Sequence, residues 1–302
     1  EILFKYFKSK ESSKNKKKII LIGSENLFYD QMKKLKFNLK LNSIKNLKKA
    51  QINKINILNV NYNNKKIFSK ISSDSSKYIS NCFGLAFELI KKDKKIVLIN
   101  GPVSKKHFLK KKYLGVTEYI SKNIKSKNQV MLIYNERLSV SPITTHLPLK
   151  HVTKNITKKI IINNAKQIKR FYKNFINKIP KIAILGLNPH CETIDNFSEE
   201  KKIIIPAIKF LKKINLNVNG PFPADTFFLK KNIDKYDVVI GMYHDQVLTP
   251  LKTLYNFNAI NITLGLPFVR ISPDHGPNSY MVGKNKSDPS SIFYAMKFIK
   301  NI

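Results

Sequence analysis

The sequence predicts an α/β protein with a mainly parallel sheet and two domains. Short β-branched runs bounded by turn residues alternate with amphipathic, Lys-rich stretches, which is the signature of βαβ units. At 302 residues and 42% hydrophobic content, the chain can bury one large core or two smaller ones.

Glu1 rather than Met opens the chain and leads straight into a helix pattern from Ile2 to Lys10, so a preceding segment is expected. Strands are expected at Lys18 to Ile22, Ile55 to Val60, Ile96 to Ile99, Val130 to Tyr134, Ile182 to Leu185 and Val238 to Ile240. Gln167 to Ile176 and Ile203 to Lys213 place apolar residues at helical spacing with lysines opposite. The second has an N-terminal signal: Ser198 can cap the first amides, and Glu199 and Glu200 complement the positive end of the helix dipole. The Lys- and Asn-rich stretch 33–66 carries no functional signal.

Composition bounds the partners. A formal charge of +37 raises the question of a nucleic-acid or membrane-surface partner. Only three of the basic residues are arginines, the lysines spread along the whole chain, and no RNA-stacking or zinc-finger motif accompanies them. Abundant Lys, Asn and Ile fit AT-rich codon usage, so the charge reads as solvated surface, with no nucleic-acid or membrane partner expected. Cys82 and Cys191 are too few for a disulfide framework and form no CxxC pair, which suits a reducing cytoplasm. No apolar run approaches the roughly 20 residues that span a bilayer, and no secretory pattern opens the chain.

The chemistry concentrates where the glycines do. Eight of the ten lie between Gly101 and Gly283, mostly in turn-like segments with Pro, Asn, Asp or His. His146 in ITTHLPL, His190 in LGLNPH and His244 in GMYHDQ each lie downstream of an expected strand. Ligands in open α/β sheets bind outside the carboxyl ends of strands, and three imidazoles with one open position describe a catalytic metal site. A single His beside a strand is more often a hydrogen-bonded core or surface residue, and no HExxH spacing is present. Arg270 is one of three arginines in a chain that otherwise uses Lys, so it is a candidate for bidentate grip on a phosphate or carboxylate, with a structural ion pair as the alternative. Arg137 and Arg170 have no assigned role. Asp225, Asp245 and Asp274 supply carboxylates that can orient an imidazole or move a proton, or else cap a turn. No GxGxxG follows a strand, so a Rossmann dinucleotide site is not supported, and neither a Walker A loop nor a GxSxG elbow is present.

Taken together, the series TTHLPLK (144–150), GLNPH (186–190), NGPFPADT (219–226), MYHDQ (242–246) and NITLGLPFVRISPDHG (261–276) resembles the motif series of the 4-hydroxythreonine-4-phosphate dehydrogenase (PdxA) family. The likeness is strong from about Asn100 to the C-terminus. It implies an isocitrate/isopropylmalate dehydrogenase-like fold, with one domain of 1–110 plus 265–302, a second of 111–264, and an active site in their cleft at a homodimer interface. By position, it implies a divalent metal (zinc, magnesium or cobalt) on His146, His190 and His244. It implies substrate contacts at Thr117, Lys252, Asn261 and Arg270, and carboxylates near the reacting centre at Asp225 and Asp245. The reaction implied is oxidation of 4-phosphohydroxy-L-threonine by NAD (or NADP) to 2-amino-3-oxo-4-phosphooxybutanoate, which loses carbon dioxide to give 3-amino-2-oxopropyl phosphate on the way to pyridoxal 5'-phosphate.

Two departures stand out. The family's GHTE is Gly115, Val116, Thr117, Glu118 here, and its glycine-rich continuation after GLNPH is Cys191, Glu192, Thr193. A sister dehydrogenase of another phosphorylated hydroxy acid, such as a four-carbon aldonate phosphate, is therefore the alternative within the class. A basic binding protein or decayed enzyme is the alternative outside it.

Overall fold

The computed structural model describes residues 1–63, 66–109, 112–113, 115–194, 196–256, 258–273 and 275–302. Asp274 and the domain boundary expected at 110/111 lie outside them. The chain divides into two compact units, Glu1–Ile120 with His275–Ile302, and Ser121–Asp274. The helix Val116–Asn123 carries the chain from one to the other, which is why no linker composition marks the passage.

Unit 1 holds a parallel three-stranded sheet in the order β1 (Ile20–Gly23), β3 (Ile55–Asn59), β2 (Leu41–Ser43), and the short β4 (Leu98–Ile99). Asn56 on the central strand is fully buried and donates through Nδ2 to the carbonyls of Ile19 and Gln51 at 2.9 Å, satisfying backbone that the sheet leaves open. The expected N-terminal helix forms as Ile2–Lys8 and buries Phe4 against Met32 and Leu35 of the Glu25–Lys34 region. Thr117 sits half-buried in the first turn of the Val116–Asn123 helix.

Unit 2 carries the remaining strands, β5 (Val130–Tyr134), β6 (Ser139–Thr144), β7 (Ile182–Leu185), β8 (Val218–Phe222), β9 (Val238–Tyr243), β10 (Ile260–Leu264) and β11 (Arg270–Pro273). They lie in the order β11-β10-β5-β6-β9-β7-β8. β6, β9, β7 and β8 are parallel to one another, whereas β5, β10 and β11 join through antiparallel pairings. One face is covered by the helix Lys158–Phe171, which buries Ile161, Ala165 and Ile168. The other face is covered by the helix His244–Tyr255, whose Val247, Leu248 and Leu251 pack with Ile133, Val140, Ala183, Leu185 and Val239 in one cluster. No helix among the described residues is long and apolar enough to cross a membrane.

Candidate active site

Two of the three histidines meet because of strand register. β6 and β9 are adjacent and parallel, with Thr144 opposite Tyr243 at their carboxyl ends. His146 lies two residues past the end of β6, and His244 opens the helix that comes directly after β9. The ends are tied together by Thr144, whose buried Oγ1 donates to the Met242 carbonyl at 2.8 Å. The imidazoles consequently stand with ring centroids 6.1 Å apart and line one small open pocket with Thr145, Leu149, Tyr243 and Asp245.

The donor set suits a cation. Nδ1 of His244 is 2.6 Å from Oδ1 of Asp245, so the carboxylate fixes the ring and leaves Nε2 as the nitrogen for a ligand. A carboxylate–imidazole pair of this kind is the usual outer support of a metal-binding His. Two imidazoles fall short of a complete site, however. Among the described residues, no group of three or more His, Cys, Asp or Glu is placed to hold an ion.

His190 belongs to a second cluster. β9 separates β6 from β7 in the sheet, and the chain runs five residues beyond the end of β7 before reaching His190. There it sits exposed in the turn Pro189–Cys191, with φ of 54° at His190 and 62° at Cys191. The short helix Ala224–Phe227 packs on this turn and places exposed Asp225 near Cys191. Burial pushes the Cys191 thiol pKa up, and the charges of Glu200, Asp225 and Glu192 push it further the same way.

Two of the expected substrate residues, Asn261 and Arg270, share one face of the unit 2 sheet. Asn261 lies opposite Ile133, and Thr263 opposite Arg270. Cross-strand partners share a face, and Ile133 packs with the His244–Tyr255 helix. Asn261, Thr263 and Arg270 therefore share the face that this helix covers, and Lys252 stands half-buried in its last turn. Arg270 is buried, with 3% of its surface exposed, and its Nη1 donates to Thr263 Oγ1 at 2.8 Å. The buried Oδ1 of Asn261 finds no hydrogen-bond partner among the described residues. A buried acceptor left open in this way is what a ligand N–H or O–H would satisfy.

Two residues that sequence reasoning did not assign to the site turn out to build it. Gln246, in the first turn of the His244–Tyr255 helix, accepts from the Met242 amide at 2.7 Å and donates to the Gly186 carbonyl at 2.8 Å. Glu200, expected to complement a helix dipole, instead turns inward and accepts from the Leu187 and Asn188 amides at 2.8 and 2.9 Å. Burial raises its carboxyl pKa, but the hydrogen bonds from Asn188 and Leu187 outweigh that effect and hold it below the ordinary value. Ser198 does cap as expected, accepting from the Lys201 amide at 3.3 Å. Adjacency of Gln246 to the MYHDQ histidine was the signal available for one; for Glu200 there was none beyond its charge.

A family model described as pyridoxal phosphate biosynthetic protein PdxA matches residues 15–299. The chain belongs to the PdxA family. The 4-hydroxythreonine-4-phosphate dehydrogenase of Sulfurihydrogenibium sp. (strain YO3AOP1) is 36% identical over 286 residues, covering 92% of this chain and 87% of that protein. The protein of the same name from Aquifex aeolicus (strain VF5) is 39% identical over 191 residues, 63% of this chain and 59% of that protein. A solved 4-hydroxythreonine-4-phosphate dehydrogenase from Klebsiella pneumoniae matches with a TM-score of 0.82 at 25% identity, over 99% of this chain and 93% of that one. A terephthalate 1,2-cis-dihydrodiol dehydrogenase from Burkholderia xenovorans LB400 shares the fold, with a TM-score of 0.63 at 17% identity.

Proposed function

We propose that this PdxA-family chain is a cytoplasmic, homodimeric dehydrogenase that oxidises 4-phosphohydroxy-L-threonine with NAD or NADP in pyridoxal phosphate synthesis, using a divalent cation. The observation that carries the reading is the pair His146 and His244, braced by Asp245 and facing one pocket at the carboxyl ends of adjacent parallel strands. The family membership and the names of its relatives support the substrate.

Each side chain then has a task. His146 and His244 would hold the cation, with His190 supplied by a second copy of this chain as the third ligand. Exposed Leu149 after His146, and exposed Ile194 and Phe197 after His190, are apolar surface that a second copy would cover. When bound there, a divalent cation would supply Lewis-acid polarisation of the substrate's secondary alcohol oxygen. Arg270 and Lys252 hold anionic groups of the substrate, Thr117 contributes a further contact, and Asn261 Oδ1 accepts from a substrate donor. Together they fix the carbinol hydrogen toward the hydride acceptor, a positioning effect worth several kcal/mol of barrier. Asp245 orients His244, and Asp225 is the second carboxylate available for the alcohol proton.

The hydride acceptor has no Rossmann cradle here. The turn from β1 into the Glu25–Lys34 helix carries Ser24 and Glu25 rather than a glycine run, and an acidic side chain there opposes a pyrophosphate.

Purified protein incubated with 4-phosphohydroxy-L-threonine, NAD and Zn2+, Mg2+ or Co2+ should form NADH and release carbon dioxide, and chelation should stop both. Absence of NADH, and of NADPH when NADP replaces NAD, with each of the three metals refutes the reading. The specific reason to keep a sister substrate in the assay is Val116, which replaces a polar family residue at the start of its helix. Faster turnover of a four-carbon aldonate phosphate would reassign the substrate and leave the chemistry intact.

A further inference from the structure

The turn that presents His190 is braced from beneath by a buried carboxylate. Glu200 is 1% exposed. Its Oε1 accepts two successive backbone amides, from Leu187 and Asn188, while Oε2 accepts from Asn188 Nδ2 at 2.9 Å and Ser198 Oγ at 3.2 Å. Successive amides converging on one anion form a concave cradle that fixes the backbone between them. The packing is close: a Cβ on Gly186 would lie 2.6 Å from Cys191 Sγ and 3.2 Å from Glu200 Oε1.

Beyond this clamp the backbone is unusual. Asn188 is succeeded by Pro189 and then by two non-glycine residues in the left-handed region, His190 and Cys191. Such residues leave that region unless their surroundings hold them there. The Cys191 amide donates to the Asn188 carbonyl at 3.0 Å, so the residue that Glu200 grips is the residue against which the turn closes. Gln246 anchors the same loop one step earlier, at the Gly186 carbonyl, to the helix that begins with His244.

We infer that Glu200 is a positioning residue for His190: by clamping 187–188 from inside unit 2, it fixes the direction in which the imidazole leaves the carboxyl end of β7. This deepens the metal-dependent reading above and rests on it. A purely structural Glu200 would affect stability alone. A positioning Glu200 also sets the affinity of the cation site, because the third imidazole is carried by the turn that it clamps.

The test is Co2+ titration of the intact protein, followed by the visible absorption of the bound ion, with thermal unfolding measured in parallel. Wild type should bind Co2+, and Glu200→Ala should bind about 10- to 100-fold more weakly, the usual loss when an outer support of a metal site is removed. Glu200→Gln keeps one acceptor oxygen for both amides and should recover most of that loss. A folded Glu200→Ala protein that binds Co2+ as tightly as wild type overturns the inference, whatever its melting temperature. Should Glu200→Ala not fold, Glu200→Asp carries the test, since it keeps the charge but shortens by one methylene the reach to the Leu187 and Asn188 amides. Wild-type affinity in that variant overturns the inference equally. Failure of wild type itself to bind Co2+ is a different result: it removes the metal reading and this inference with it.

Discussion

Replacing Gly241 by Ala should uncouple the helix that carries His244 from the sheet beneath it. A Cβ at Gly241 would lie 2.4 Å from Val247 Cγ1 and 2.9 Å from Gln246 Oε1. Ordinary carbon–carbon contact is about 3.5 to 4.0 Å, so the first approach is short by roughly 1 to 1.5 Å. Val247 is fully buried between the helix and β9, and relief requires the first turn of the His244–Tyr255 helix to lift. Overpacking of this kind costs about 1 to 3 kcal/mol. Disturbing the two Gln246 hydrogen bonds, to Met242 N and Gly186 O, adds about 0.5 to 1.5 kcal/mol each. The sum is about 2 to 6 kcal/mol, which for a unit of this size lowers the melting temperature by at least about 4 °C. A lift of about 1 Å at His244 also spoils its placement against His146, and displacements of that size cost on the order of 100-fold in rate. Thermal unfolding and steady-state kinetics with added metal read the two effects separately. A Gly241→Ala protein that melts within about 1 °C of wild type with unchanged kcat/KM would refute the packing argument.

Arg270→Lys should raise KM with a smaller effect on kcat, because an ammonium cannot keep the Thr263 bond and grip an anion in the same plane; unchanged kinetics would mean that the buried guanidinium is structural. Cys82 and Cys191 should react slowly with an alkylating agent near pH 7 and quickly once denatured, since burial raises both thiol pKa values; rapid native labelling would contradict their environments. Glu200 has a folded pKa below its unfolded value, so its contribution is present above the unfolded pKa and fades as pH falls through the folded one. The difference in urea midpoint between wild type and Glu200→Gln should accordingly be largest near neutrality and shrink below about pH 4, and a difference independent of pH would exclude the carboxylate as its source.

Sequence pattern located elements best where the apolar run was continuous. VMLIY and IAIL match β5 and β7 at both ends, because strands buried on both faces show no polar break. β6 was invisible: SVSPIT is short, polar in alternate places and interrupted by Pro142, which argues against a central strand until its pairing with β9 is seen. That strand is the one that leads to His146. The antiparallel pairing of β5 with β6 and of β10 with β5 and β11 likewise had no local signal, since strand direction depends on which distant segments pair.

Residue by residue, the sequence alone determined the family and which groups are candidates for its chemistry, because the imidazoles, the rare arginine and the motif order are covalent facts. Only the tertiary structure decided which of them meet. His146 and His244 come together through the register of Thr144 with Tyr243, while His190 lies beyond β7 with Asp225 at its turn, on the far side of β9. The same holds for Glu200, whose role was set by where burial turned its carboxylate. The physical reason is that side-chain chemistry is local to a residue, whereas strand order, register and burial are properties of contacts between segments far apart along the chain.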